Sequence, residues 1–179
     1  RLSENVSEGT LYLQITRGIA ARSHTFPQHS SPTLLAYITP VDRPLQTIRN
    51  GINAISRDDF RWLRCDIKSL NLLPNTMLKQ EAIDHNAHEV VLHRDGIVTE
   101  CSASNLMMIQ HGEIYTHPAN HLILHGITRA AVLRLAESLN ISVKEQPFTL
   151  DQLYQADEVF ITGTTVEITP VLSIDGQVI

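Results

Sequence analysis

The 179-residue chain is short of cysteine, lysine and aromatic residues, and each shortage excludes something. Two cysteines, Cys65 and Cys101, are too few for a disulfide framework and suit a reducing cytoplasm. They are spaced for neither a redox motif nor a zinc knuckle. No apolar run approaches the roughly 20 residues of a membrane-spanning helix. There is no signal-peptide pattern, internal repeat or low-complexity segment. A net charge of −5 gives no reason to expect nucleic acid or an anionic membrane as partner. What remains, 42% hydrophobic and 18% charged residues, is the composition of one globular domain with a proper core.

Period-two alternation predicts a half-buried strand over "TLYLQIT" (10–16), and a second strand fits "TLLAYIT" (33–39), with Pro40 and Pro44 punctuating the loop after it. "GINAIS" (51–56) and "RWLR" (61–64) are further short strand candidates. Pro74-Asn75 starts a helix with Asn75 as N-cap. "EVVLHRDGIVTE" (89–100) and "NLMMIQHGEIYTH" (105–117) read as hairpins turning at Asp95-Gly96 and His111-Gly112. "GITRAAVLRLAESLN" (126–140) is the clearest helix, with Ile127, Ala130, Ala131, Leu133 and Leu135 apolar and Asn140 ending it. The strand "ISVKEQ", a capping box at Thr149 and Gln152, and the strands "EVFIT" and "EITPVLSI" complete the chain. Hairpins outnumber βαβ units, so the expected fold is α+β, an antiparallel-rich sheet carrying a few helices. The chain opens without Met and stops just after the turn signal Asp175-Gly176, and it reads as part of a longer protein.

Lysine is the scarcest charged residue. Lys79 and Lys144 have polar-face explanations, but Lys68 lies between Ile67 and Leu70, Leu72 and Leu73, in a run that reads as buried. One account is a snorkelling stem or a pair with Asp66. The other is a desolvated amine with a lowered pKa, able to attack a carbonyl and hold an aldehyde cofactor such as pyridoxal phosphate. The second account needs three further parts: a carboxylate for the pyridine nitrogen, a phosphate cradle and a grip on the substrate carboxylate. Glu100, ending a strand before a small-residue turn, is the candidate carboxylate; taken alone it is an exposed strand end. Gly126, Ile127 and Thr128 at a helix start, and "TGTT" (162–165), are candidate anion cradles; each alone is ordinary capping or a turn. Nine histidines invite a metal, with His85 and His88 near Glu81 and Glu89, but no H-E-x-x-H or paired C-x-x-C spacing is present. No metal is expected.

"RWLRCDIKSLNLL", "VTECSASNLMMI", "YTHPANHLILHGITR" and "EVFITGTTVEITPV" together resemble the class IV, fold type IV, pyridoxal-phosphate aminotransferases, most closely those acting on D-amino acids. The resemblance implies a mixed sheet or pseudo-barrel with packed helices, the family's large cofactor-lysine domain, over residues 1–179. The family's small N-terminal domain and C-terminal helix are then absent from this chain. By the same resemblance Lys68 holds pyridoxal 5'-phosphate as a Schiff base and moves the Cα proton. Glu100 faces the pyridine nitrogen, and Leu124 packs on the ring. Arg61, Ile127, Thr128 and Thr164 contact the phosphate, while Gly163 replaces a serine and offers only its N–H. Arg22 and His24 bind the substrate α-carboxylate, reaching across from the neighbouring subunit of a homodimer. The implied reaction moves an amino group between a D-amino acid and a 2-oxo acid. Branched-chain aminotransferases and aminodeoxychorismate lyases share the lysine and glutamate, and Arg22 with His24 argues against both. A non-catalytic relative that no longer holds cofactor is the alternative from another class.

Overall fold

A computed structural model describes residues 8–179. The chain divides into two compact units, one ending at Arg43 and the other Pro44–Ile179, where the sequence reads as one domain. In the first, β1 (Gly9–Thr16) pairs antiparallel with β2 (Thr33–Pro40) in unbroken register. Tyr12 and Tyr37 sit opposite each other and stack with ring centroids 4.9 Å apart. The alternation that predicts β1 is present with its apolar side outward: Leu11, Leu13 and Ile15 are exposed. Two strands bury little beyond each other.

The second unit contains α1 (Leu45–Asn50), β3 (Ile52–Asp58), α2 (Leu73–Asp84), β4 (Glu89–Arg94), β5 (Ile97–Cys101), β6 (Asn105–Gln110) and β7 (Glu113–Thr116). It continues with α3 (Ile127–Ser138), β8 (Val143–Glu145), α4 (Leu150–Tyr154), β9 (Glu158–Gly163), β10 (Glu167–Ile174) and β11 (Gln177–Val178). All nine strands share one sheet, in the order β5-β4-β3-β10-β9-β6-β7-β8 with β11 added to β10. β3 runs parallel to β4 and β10, and β7 parallel to β8; every other pair is antiparallel. This is the mixed, antiparallel-rich α+β fold expected. β5 turns back into β6 through residues 102–104, where the Cys101 N–H donates to the Ser104 carbonyl at 2.8 Å, and the sheet curls.

Both faces of the sheet are covered, so successive residues of its central strands are buried in turn. Leu106 and Met108 of β6 join Val91, Val98, Phe148, Leu153 and Ile161 inside the curl. Met107 faces the other way, onto Ile114 and onto Val132 and Ala136 of α3. Leu78 and Ala82 of α2 close over Ile55, Val90 and Leu92. The two predicted hairpins turn where expected, because Asp95-Gly96 and His111-Gly112 both take the left-handed backbone a two-residue turn demands. The Thr149–Gln152 capping box is formed as read.

Four local readings differ. "RWLR" is no strand, because side chains take its backbone groups: the Arg61 N–H donates to Asp59, and Arg94 donates to the Arg61 and Trp62 carbonyls. Asn75 lies inside α2 rather than capping it, since Pro74, needing no N–H partner, fits the first turn. Its amide instead reaches the Ser102 carbonyl at 2.7 Å. The buried face of α3 is Arg129, Val132 and Ala136, while Ile127 and Leu135 are exposed. Arg129 Nη2 donates to the His117 carbonyl at 2.8 Å and to Glu145 at 2.7 Å, while its buried Nε has no partner among the described residues, so a charge occupies a face that hydrophobicity alone does not mark. Finally, α1 follows Pro44, in a stretch the prolines mark as loop.

These burials set a test of the packing. Leu78→Ala should destabilise the chain by about 2–5 kcal/mol, the usual cost of emptying a core leucine site. Leu135→Ala, on the exposed side of α3, should cost under about 1 kcal/mol. Urea unfolding midpoints compare the two, and equal losses would contradict this assignment of faces.

Candidate active site

The curl of the sheet brings the end of β5 beside the loop that follows β3. Glu100, 4% exposed, sits there among donors from three residues. It accepts from Arg61 Nη1 at 2.7 Å, from Asn105 Nδ2 at 3.0 Å, and from the Leu124 N–H at 3.1 and 3.0 Å to its two oxygens. Asn105 Nδ2 also donates to the Leu124 carbonyl at 2.8 Å, so both backbone groups of Leu124 are spent on this pair. Asn105 is a strand-start residue with no obvious sequence signal.

Arg61 is buried too, and its remaining nitrogens go to a second carboxylate. Its Nε and Nη2 donate to the two oxygens of Asp59, each at 2.9 Å. Asp59 further accepts from Thr99 Oγ1 at 3.1 Å and pairs with Arg94 Nη2 at 3.2 Å. Burial pushes the Glu100 carboxyl up to about 7, against the charge and hydrogen bond of Arg61 and the Leu124 N–H. Burial works upward on Asp59 as well, but Arg61 and Arg94 hold it below the ordinary carboxylate value. Little in the sequence marks Asp59 or Arg94; the one signal is the "DDFR" spacing that sets a carboxylate two residues before Arg61.

The predicted anion cradles are brought together. Thr128, in the first turn of α3, lines one cavity of about 380 Å³ with Gly163, Thr164, Ile48, Glu167 and Ile168. Gly126 precedes that helix because a Cβ there would lie 2.1 Å from Asn105 Oδ1. The start of α3 is therefore pressed against the group that holds Glu100. The Ile127 side chain is exposed, leaving its backbone as the part available to an anion. The buried Thr162 hydroxyl, beside Gly163 and opposite Asn105 across β6 and β9, has no hydrogen-bond partner among the described residues. These features fit a phosphate-bearing ligand: hydroxyls, a side-chain-free position and a helix N-terminus around one cavity, with a buried carboxylate nearby.

Lys68 lies on the loop between β3 and α2 and is exposed, as are Ile67, Leu70, Leu72 and Leu73. The run that reads as buried is not buried here. Pairing with Asp66 is also set aside, because Arg64 takes both Asp66 oxygens at 2.9 Å. Arg22 and His24 lie in the other unit, exposed, on the loop joining β1 and β2. Among the described residues, no three His, Cys, Asp or Glu side chains cluster as metal ligands do, and no helix is long and apolar enough to cross a membrane.

The sequence profile of the amino-transferase class IV family matches residues 1–174. D-alanine aminotransferase of Bacillus licheniformis is 52% identical over 172 residues, covering 96% of this chain and 61% of that protein. The D-alanine aminotransferase of Staphylococcus aureus (strain N315) is 48% identical over 173 residues, with the same coverage. The solved branched-chain amino acid aminotransferase from Escherichia coli superposes with a TM-score of 0.79 at 30% identity, over 94% of this chain and 56% of that one. This chain belongs to the class IV aminotransferases, a family of pyridoxal-phosphate enzymes. It spans about three fifths of the length of the curated relatives it matches.

The Glu100 environment carries a pH signature. The folded chain keeps the Glu100 proton up to about 7, whereas the unfolded chain releases it near 4.5. Between these values the native state binds the extra proton, so this group's stabilising share falls as pH rises. Glu100→Gln should flatten that part of the profile, and unfolding midpoints near pH 5 and pH 8 measure it. An unchanged slope would show that Glu100 titrates near its unfolded value.

Proposed function

We propose that this chain forms the cofactor-lysine part of a transaminase that moves an amino group between a D-amino acid, such as D-alanine, and a 2-oxo acid. The observation that carries the reading is the buried Glu100, gripped by Arg61, Asn105 and the Leu124 N–H and joined through Asn105 and Gly126 to the start of the helix whose Thr128 lines the cavity. The likeness to two D-alanine aminotransferases supports the substrate class.

Pyridoxal 5'-phosphate, when bound, supplies an electron sink for charge developing at the substrate Cα. Lys68 would hold it covalently and, once displaced by substrate, take the Cα proton on its free amine. An exposed loop position leaves that amine accessible to both partners. Glu100 would face the ring nitrogen, whose positive charge when protonated would favour the carboxylate form, and Leu124 would pack on the ring. The first N–H groups of α3 at Ile127 and Thr128, the Thr128 and Thr164 hydroxyls and the Gly163 N–H would take the phosphate. Arg22 offers a planar donor fork for the substrate α-carboxylate, with His24 two residues away. In the functional homodimer these two would act on the neighbouring subunit's substrate, and the enzyme would work in the cytoplasm.

In the full-length protein, Lys68→Ala should abolish the visible absorbance of covalently held cofactor and reduce D-alanine turnover by orders of magnitude, whereas Lys144→Ala should do little. Arg22→Ala should raise KM for D-amino acids at least about tenfold while leaving that absorbance in place. Turnover of L-branched-chain amino acids in preference to D-alanine would overturn the substrate class.

A further inference from the structure

Arg61 stands, by family resemblance, among the phosphate contacts. Its surroundings in this chain do not suit that role. Three of its side-chain nitrogens already donate to carboxylates, Nε and Nη2 to Asp59 and Nη1 to Glu100. The cavity that gathers Thr128, Gly163 and Thr164 does not include it. A guanidinium clamped between two anions is poorly placed to attract a third.

The clamp has an anchor. The Asp59 side chain is fully buried and is held by more than Arg61 alone. It accepts from the Arg61 backbone N–H at 3.1 Å and from Thr99 Oγ1, and it pairs with Arg94. Thr99 is the strand neighbour of Glu100, and Arg94 closes β4. Arg94 also holds the Arg61 and Trp62 carbonyls at 3.0 and 3.2 Å, near the start of the loop that carries Lys68. Further along that loop, the Cys65 N–H donates to the His121 carbonyl at 2.8 Å, three residues before Leu124.

We propose that Asp59 is a positioning residue for the reaction: it fixes Arg61 so that the guanidinium serves Glu100 rather than the phosphate, and with Arg94 it ties the Lys68 loop to the strand that carries Glu100. This rests on the cofactor reading above. Asp59 touches neither cofactor nor substrate; it acts through Arg61. The pair of contacts from one fork explains why arginine is used: a lysine ammonium is a point charge and cannot present a two-nitrogen face to Asp59 while sending a third nitrogen to Glu100.

The test compares two probes on the full-length protein, pyridoxal 5'-phosphate and phosphate-free pyridoxal. Dissociation constants for each are taken from absorbance titration of the apoprotein, alongside kcat and KM for D-alanine. Asp59→Asn and Arg61→Lys should weaken both probes by the same factor, about tenfold, and lower kcat with KM nearly unchanged. Thr128→Val, at the cavity, should weaken only the phosphorylated probe. Asp59→Glu should recover part of the lost kcat. A loss confined to pyridoxal 5'-phosphate in Arg61→Lys would make Arg61 a phosphate ligand and overturn the proposal. So would an Asp59→Asn protein with a lowered unfolding midpoint but wild-type kcat and probe affinities, which is the mark of a purely structural residue. If the unaltered protein binds neither probe, it is the cofactor reading that fails.

Discussion

One buried guanidinium shared between two buried carboxylates determines the arrangement of the site. Taking Arg61, Asp59 and Glu100 out of water is costly, and their mutual attraction compensates only when nearly every donor and acceptor is matched. Around the three, Arg94 adds a second cation, Thr99 a hydroxyl, Asn105 an amide and Leu124 a backbone N–H, and the buried Arg94 Nε is left without a partner among the described residues. Removing any charged member would strand another, a loss of about 3–5 kcal/mol for buried pairs of this kind. A group this constrained holds one geometry before any ligand arrives, which is what electrostatic catalysis requires of its charges.

A third buried carboxylate, Glu89, fastens the turn that follows Glu100. Glu89 accepts from the Ser102 and Ser104 hydroxyls and from the Val90 N–H, with Lys79 3.8 Å away. Asn75 reaches from α2 to the Ser102 carbonyl. The turn at 102–104 is thereby fastened to β4 and α2 while Glu100 and Asn105 at its two ends face each other. The two serines of "CSASN" are accounted for by their hydrogen bonds to Glu89.

How much of this can be read in the sequence depends on range. Hairpins at Asp95-Gly96 and His111-Gly112, the capping box at Thr149 and the helix from Gly126 rest on neighbours within a few residues, and they are legible. The Glu100 and Thr128 candidates are visible as residue types in a suggestive order. Asp59, Arg94 and Asn105 are not, because their value comes from partners as far as 40 residues away brought in by the curl of the sheet. The same limit explains the misread face of α3. Arg129 counts as polar in any periodicity, yet His117 and Glu145 make it a core residue.

Lys68 shows the opposite failure, in which a local pattern says too much. Ile67, Leu70, Leu72 and Leu73 suggest a buried run around the amine, but in this chain all four are exposed and the segment leading into α2 is a loop. The apolar residues therefore do not desolvate the lysine within this chain. The unit instead separates two demands. Glu100, the proposed partner of the ring, is held in the sheet by surrounding charges, and the Lys68 amine stands on a connecting loop held near its start by Arg94 and at Cys65 by the His121 carbonyl. In the proposed reaction, a nucleophile that is attached, displaced and then used as a base needs reach and access. A counter-charge needs the reverse, and a strand end inside a curled sheet supplies it.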